Sequence, residues 1–276
     1  MQLNLNELDS VKANLDKWNR PEILSNCIGL MDLTSLNHTD TASKIESMVH
    51  KVNLFKEKFP NYPQVAAICV YPNFTKTVRE ILKDKSVKLA VVAGVFPSSQ
   101  SFLEIKCAEC KMASQAGADE IDIVLSLSHF LEGEYEKASE EIREIKKSAG
   151  KAHLKVILES GTLKEPEQIY KASMLAMEAG ADFIKTSTGK TDPAATPEAA
   201  YVMCSAIKDF HNKTGIKVGF KPAGGIVTPK DAILYYAIVD SVLGEDWLNP
   251  HLFRLGASRL ANNILTELEN QTISYY

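Results

Sequence analysis

Three lysines sit where the chain would otherwise place valine or leucine. Lys155 lies in His153-Leu-Lys-Val-Ile-Leu-Glu159, Lys185 in Phe183-Ile-Lys-Thr-Ser-Thr-Gly-Lys190 and Lys221 in Val218-Gly-Phe-Lys-Pro-Ala-Gly-Gly225. Lysine is almost never fully buried without a partner. If the three runs are neighbouring strands, desolvation and mutual repulsion both push a lysine pKa down. A neutral amine is the form that attacks a carbonyl to make a Schiff base. Asp122, between two isoleucines in Glu120-Ile-Asp-Ile-Val124, supplies a carboxylate that can bond to an ammonium and relay protons through water. The competing reading is structural ion pairing, Asp122 with one lysine and Glu159 with another. Three lysines on consecutive runs outnumber those acids and favour chemistry.

The elements that must position these groups follow a strict rhythm. Apolar runs at Cys27–Thr34, Val65–Tyr71, Val87–Phe96, Glu120–Ser126, Leu154–Ser160, Phe183–Ser187, Lys217–Ala223 and Phe253–Ala257 read as strands. Helical patterns follow each, over Thr41–Phe59, Thr75–Lys83, Ser101–Ala116, Glu134–Ser148, Glu165–Glu178, Pro197–Asn212, Pro229–Leu243 and Ser258–Glu269. Strands separated by helices imply a parallel sheet, and eight such units over roughly 250 residues predict an α/β fold, a single (β/α)8 TIM barrel. An open doubly wound sheet would show a glycine-rich turn after the first strand, and Asp32 to His38 contains no glycine. Thr196-Pro197 and Thr228-Pro229 read as helix starts. Gly117, Gly150, Gly180 and Gly215 read as left-handed helix ends. Residues 1–25 read as an N-terminal helical leader over one end of the barrel, with Leu3, Leu5, Leu8, Val11 and Leu15 at helical spacing and Pro21 interrupting it. The barrel then spans 26–270, and 271–276 form a mobile C-terminal tail.

In such a barrel the reactive groups lie at the C-terminal ends of the strands. Thr188-Gly189-Lys190, Gly224-Gly225 and Gly256-Ala-Ser258 follow strands six, seven and eight, and offer bare amides and a helix N-terminus suited to a phosphate.

Several runs together resemble the deoxyribose-phosphate aldolase family from about residue 24 to the C-terminus. They are Leu30-Met-Asp-Leu-Thr-Ser-Leu-Asn37, Ala66-Ala-Ile-Cys-Val-Tyr-Pro72, Ala118-Asp-Glu-Ile-Asp122, Leu154 to Glu159, Gly180 to Lys190 and Gly219 to Gly225. The resemblance implies a class I aldolase that cleaves 2-deoxy-D-ribose 5-phosphate to acetaldehyde and D-glyceraldehyde 3-phosphate, without metal or organic cofactor. It implies Lys185 as the Schiff-base lysine, Lys221 as the cation that lowers its pKa and Asp122 as the proton relay. Asp32, Thr34, Cys69 and Lys155 complete the lining. It also makes the terminal Tyr276 a proton shuttle at the carbon that becomes the acetaldehyde methyl, whereas an ordinary terminus would fray. Two positions depart from the pattern. Val227 stands where relatives often carry an arginine facing the phosphate, and Arg259 follows the last Gly-Ala-Ser where a small hydroxyl residue is common. Arg259 could replace the missing charge. Cys69 also reads as a small hydrophobe on an apolar strand.

Composition bounds the partners. A net charge of -4 and a pI near 5.9 speak against a nucleic-acid surface. The N-terminus has neither the basic start nor the apolar run of a signal peptide, and no stretch is long and apolar enough to span a membrane, so a cytoplasmic protein is expected. Five scattered cysteines form no disulfide framework. Cys107 and Cys110 fall in a helical pattern and read as packing. The six histidines show no paired zinc-ligand spacing. A homo-oligomer, taken as a dimer, is expected. The nearest alternative is a Schiff-base aldolase for another phosphorylated sugar. A silent barrel that binds a sugar phosphate or a protein is disfavoured by the set Asp122, Lys185 and Lys221.

Overall fold

Pro21 starts a helix instead of breaking one. In the computed structural model, which describes residues 5–276, helix α1 (Leu5–Ala13) and one 3-10 turn (Leu15–Lys17) precede helix α2 (Pro21–Gly29). Proline at the first helical position loses no hydrogen bond, and its fixed φ suits the helix. Cys27 and Ile28, expected to open the first strand, are instead buried on α2 with Ile23 and Leu24. Leu3 lies outside the described residues. The described part of the leader packs against the outer helices, where Tyr201 donates to Glu7 at 2.8 Å and the Trp18 indole donates to Asp240 at 2.7 Å.

Eight strand–helix units follow. They open with β1 (Met31–Thr34), α3 (Ala42–Lys58), β2 (Ala67–Val70), α4 (Thr75–Ile81), β3 (Lys88–Val92) and α5 (Leu103–Gln115). Next come β4 (Glu120–Val124), α6 (Leu127–Leu131), α7 (Tyr135–Ala149), β5 (His153–Ile157), α8 (Ser160–Leu163) and α9 (Pro166–Glu178). The chain closes with β6 (Phe183–Lys185), α10 (Pro197–Thr214), β7 (Gly219–Lys221), α11 (Pro229–Leu243), β8 (Leu255–Ala257) and α12 (Leu260–Glu269). All eight strands are parallel, in the order β7-β6-β5-β4-β3-β2-β1-β8, and the bridges Phe220–Phe253 and Ala223–Gly256 join the two ends. The TIM barrel is therefore as expected. Closure there needs a glycine, since a Cβ on Gly256 would meet Ala223 Cβ at 2.7 Å and Lys221 Cε at 3.1 Å.

The helix punctuation holds. Thr196 and Thr228 cap α10 and α11, the latter in a reciprocal box with Asp231, and Gly117, Gly150, Gly180 and Gly215 all have positive φ. Cys107 and Cys110 ride on α5, with Cys110 in the core. Strand five ends earlier than its apolar run, because Glu159 turns left-handed (φ 51°) and starts the short helix α8.

The apolar core lies between the strands and the outer helices. Inside the barrel, the β2–β3 side is lined by small residues, Ala67, Cys69, Ala90 and Val92, closed by Leu36. The remaining interior holds charge around the Phe183 ring, which lies 5.9 Å from Lys155 Nζ and 5.8 Å from the Arg254 guanidinium.

Candidate active site

Strand alternation turns Asp32, Asp122, Lys155, Lys185 and Lys221 inward. Register sets Lys185 beside Lys221 and Asp122 beside Lys155. The three lysines meet on one carboxylate. Asp122 Oδ2 accepts from Lys185 Nζ at 2.8 Å and from Lys221 Nζ at 2.8 Å, and its Oδ1 accepts from Lys155 Nζ at 3.0 Å. Asp32 Oδ2 pairs with Lys221 at 2.5 Å and with Lys155 at 3.5 Å.

Two members of this cluster were not anticipated. Glu120 accepts from Lys155 at 2.5 Å, and Arg254 donates to Asp32 at 2.6 Å and to Glu120 at 2.7 Å. All seven side chains are buried. The reading that the lysines outnumber the acids is corrected, because three carboxylates face three lysines and the surplus positive charge comes from Arg254. Arg254 carried the same signal as the lysines, a charge between Phe253 and Leu255. Among the described residues Glu159 meets no lysine. It accepts from the Thr188 amide at 3.0 Å and from the Thr188 hydroxyl at 2.6 Å.

The cluster separates the lysines electrostatically. For Lys185, burial and then the neighbouring Lys221 charge outweigh the attraction of Asp122, and its pKa falls below the ordinary lysine value. Burial also acts on Lys155 and Lys221, but Asp122 with Glu120 and Asp32 more than offsets it, and both are held above that value. The expectation of a general downward push is thus corrected to one lysine. Burial would raise Asp122 and Asp32, yet the surrounding cations hold both well below the usual carboxylate range. Burial pushes the Cys69 thiol up, so it is a neutral thiol against the apolar wall of β2 and β3.

Above the cluster a cavity of about 290 Å³ opens at the C-terminal ends of the strands. Lys185, Lys221 and Thr34 reach it from below, and Thr188, Gly189, Lys190, Gly224, Gly225, Gly256, Ser258 and Arg259 line it, together with Val227. Asp32, Asp122, Lys155 and Cys69 lie beneath, within the barrel. The loops are held firmly. The Lys190 amide donates to Thr188 Oγ1 at 3.1 Å, and the Lys190 ammonium bonds the Leu36 carbonyl, tying the β6 loop to the β1 loop across the opening. Gly224 (φ 85°) packs so closely that a Cβ would meet Ala194 Cβ at 2.6 Å and Gly189 Cα at 3.1 Å. The bare backbone of two loops therefore faces the cavity.

Tyr276 is elsewhere. Its ring stacks on Phe55 at 5.7 Å, its amide donates to Asn262 at 2.9 Å, and its buried hydroxyl has no partner among the described residues. A larger depression of about 600 Å³ opens at the opposite face, beside Lys88, His153, His251 and Arg254, and it contains none of the three converging lysines. Among the described residues, no three His, Cys, Asp or Glu side chains are grouped to hold a metal ion, and no helix is long and apolar enough to cross a membrane.

Residues 27–245 match the profile of the DeoC/LacD family aldolases. The deoxyribose-phosphate aldolase of Homo sapiens is 41% identical over 270 residues, which cover 94% of this chain and 85% of that protein. Among solved structures, the aldolase QR15 superposes with a TM-score of 0.71 at 30% identity, covering 87% of this chain and 96% of that one. The structure described as a unique tetrameric deoxyribose phosphate aldolase from Aeropyrum pernix superposes with a TM-score of 0.72 at 26% identity, covering 94% and 97%.

Proposed function

The chain belongs to the DeoC/LacD family of aldolases, and we propose that it is a deoxyribose-phosphate aldolase working through a Schiff base on Lys185. One observation carries the reading of the site. Of three buried lysines sharing one carboxylate, only Lys185 has a lowered proton affinity, and it opens into the cavity.

The neutral Lys185 amine adds to C1 of open-chain 2-deoxy-D-ribose 5-phosphate, and loss of water leaves a protonated imine. Asp122, acting through a water, takes the proton of the C3 hydroxyl while the C2–C3 bond breaks. The bonding pair moves onto C2 as an enamine, and C3 leaves as the aldehyde of D-glyceraldehyde 3-phosphate. Protonation of C2 and hydrolysis of the imine release acetaldehyde and restore Lys185. The surrounding cations keep Asp122 ionised in the resting protein, the form that accepts a proton through the water. Lys221 and Lys155 remain cations and hold Asp122 in place. The scheme needs no metal or organic cofactor.

The phosphate is assigned to the amides of Gly189, Lys190, Gly224 and Gly225 and to Ser258 and Arg259 at the start of α12. With Val227 uncharged, Arg259 supplies the side-chain cation there. Thr34 faces the sugar. Tyr276 donates the proton to C2 once the tail has left Phe55. Self-association as a dimer and a cytoplasmic location complete the proposal, the first checked by light scattering on the purified chain.

The test is cleavage of 2-deoxyribose 5-phosphate, followed by coupled detection of glyceraldehyde 3-phosphate, beside the unphosphorylated sugar. The proposal expects turnover of the phosphorylated sugar with a much higher kcat/KM. Cleavage of a different sugar phosphate with none of this one would favour the alternative aldolase.

A further inference from the structure

The ion pairs inside the barrel form a closed ring with Arg254 and Asp122 at opposite poles. One arm runs from Arg254 through Asp32 to Lys221 and on to Asp122, and the other from Arg254 through Glu120 and Lys155 to the same carboxylate. Lys185 hangs from Asp122 outside the ring. Arg254 donates also to the Pro250 carbonyl, and it lies at the N-terminal face of the barrel, away from the cavity that opens onto Lys185.

The groups that bear on Lys185 come from every side. They are Asp32 on β1, Cys69 on β2, Glu120 and Asp122 on β4, Lys155 on β5, Lys221 on β7 and Arg254 before β8. On β3 the inward Ala90 and Val92 carry no charge. The cluster thus holds four cations against three carboxylates in a site with almost no water exposure. A buried surplus charge is costly, and one proton too many resides in it. Guanidinium does not release a proton in this range, Lys155 and Lys221 each touch two or more carboxylates, and among the described carboxylates Lys185 touches Asp122 alone.

We propose that Arg254 is a positioning residue for the imine chemistry, and that its charge at the far pole of the ring keeps Lys185 a free amine. By engaging Asp32 and Glu120, Arg254 leaves Lys221 and Lys155 to be neutralised by Asp122. Asp122 then has no full negative charge left for Lys185. Without Arg254, Asp32 and Glu120 would neutralise Lys221 and Lys155, three carboxylates would balance three lysines, and Lys185 would keep its proton. The inference rests on the assignment of Lys185 as the Schiff-base lysine.

The experiment measures the pH dependence of imine formation with acetaldehyde, trapped by borohydride and followed by mass, in the wild-type chain and in R254M, R254K and E120Q, with thermal denaturation of each. The acid limb of the wild-type profile reports the amine. R254M is expected to move that limb upward by about one pH unit or more. R254K, which keeps the charge, should restore it at least in part, and E120Q, which leaves the surplus larger, should move it the other way. If R254M does not fold, the opposite-signed shift in E120Q carries the test. Lower labelling with an unmoved limb in R254M, or an unmoved limb in E120Q where R254M fails to fold, would reduce Arg254 to a structural tie and overturn the inference. Absence of any imine in the wild-type chain would instead remove the Lys185 assignment itself.

Discussion

At the scale of single residues, one carboxylate organises the chemistry. Asp122 receives all three lysines, so changing it acts on each of them. D122N should lower kcat by on the order of 10²-fold or more, because the relay is lost and the lysines lose their shared counter-charge; a variant with unchanged kcat would show that the proton leaves by another route. The lowered pKa of Lys185 fixes a sign for activity. The reactive form is lost as pH falls through that pKa, so kcat/KM should decline on the acid side, and in K221M, where a neighbouring cation is gone, the decline should begin at higher pH. The lysines were legible in the sequence because a charge in an apolar run is conspicuous. Their partners were not, since pairing depends on the register between strands far apart in the chain. Arg254 was equally conspicuous, but it precedes a strand of only three residues and its target is set by barrel closure.

At the scale of elements, the β5 and β6 loops work as a pair. Glu159 sits in left-handed backbone and holds both the amide and the hydroxyl of Thr188, which in turn receives the Lys190 amide. Non-glycine residues in such backbone cost about 1–3 kcal/mol and persist where the surroundings impose them. E159Q should therefore raise KM for the phosphorylated sugar by about tenfold, equivalent to roughly 1.4 kcal/mol, while acetaldehyde–borohydride labelling of Lys185 continues. An equal loss in both assays would place Glu159 in the chemistry instead of the loop. G224A should be harsher, since its Cβ would strike Ala194 and Gly189, and a large loss of phosphate-dependent activity with residual imine formation is the expected outcome. Element order, cap residues and helix ends could be read from periodicity and from Thr-Pro and glycine punctuation. The α2–β1 boundary could not, because Pro21 serves equally as a breaker and as a first helical residue, and burial against the barrel decides which.

At the scale of the whole molecule, charge is concentrated on the barrel axis and the apolar core surrounds it, and this arrangement makes stability depend on pH. Asp32 and Asp122 have folded pKa values below their unfolded ones. The stability they contribute is fully present above about pH 4 and is lost as pH falls toward the folded values. The denaturation midpoint in urea should drop on that acid side, with a shallower drop in D32N. At the other extreme of the chain, the tail lies along α12 and α3, with Tyr275 donating to the Lys51 carbonyl and Tyr276 stacked on Phe55. Because the Tyr276 hydroxyl is buried without a partner among the described residues, Y276F should keep or raise stability, by up to about 1 kcal/mol; any loss of turnover in that variant would then report the proton transfer to C2. The docking of the tail was not legible, since two aromatic residues at a terminus carry no register of their own. The central claim is that Lys185 forms the imine, and the most direct measurement is acetaldehyde with borohydride followed by peptide mapping. The account predicts one added ethyl group on Lys185, and none on the protein when K185M is treated in the same way. An ethyl group on Lys155 or Lys221, or no labelling of the unmutated chain, would contradict it.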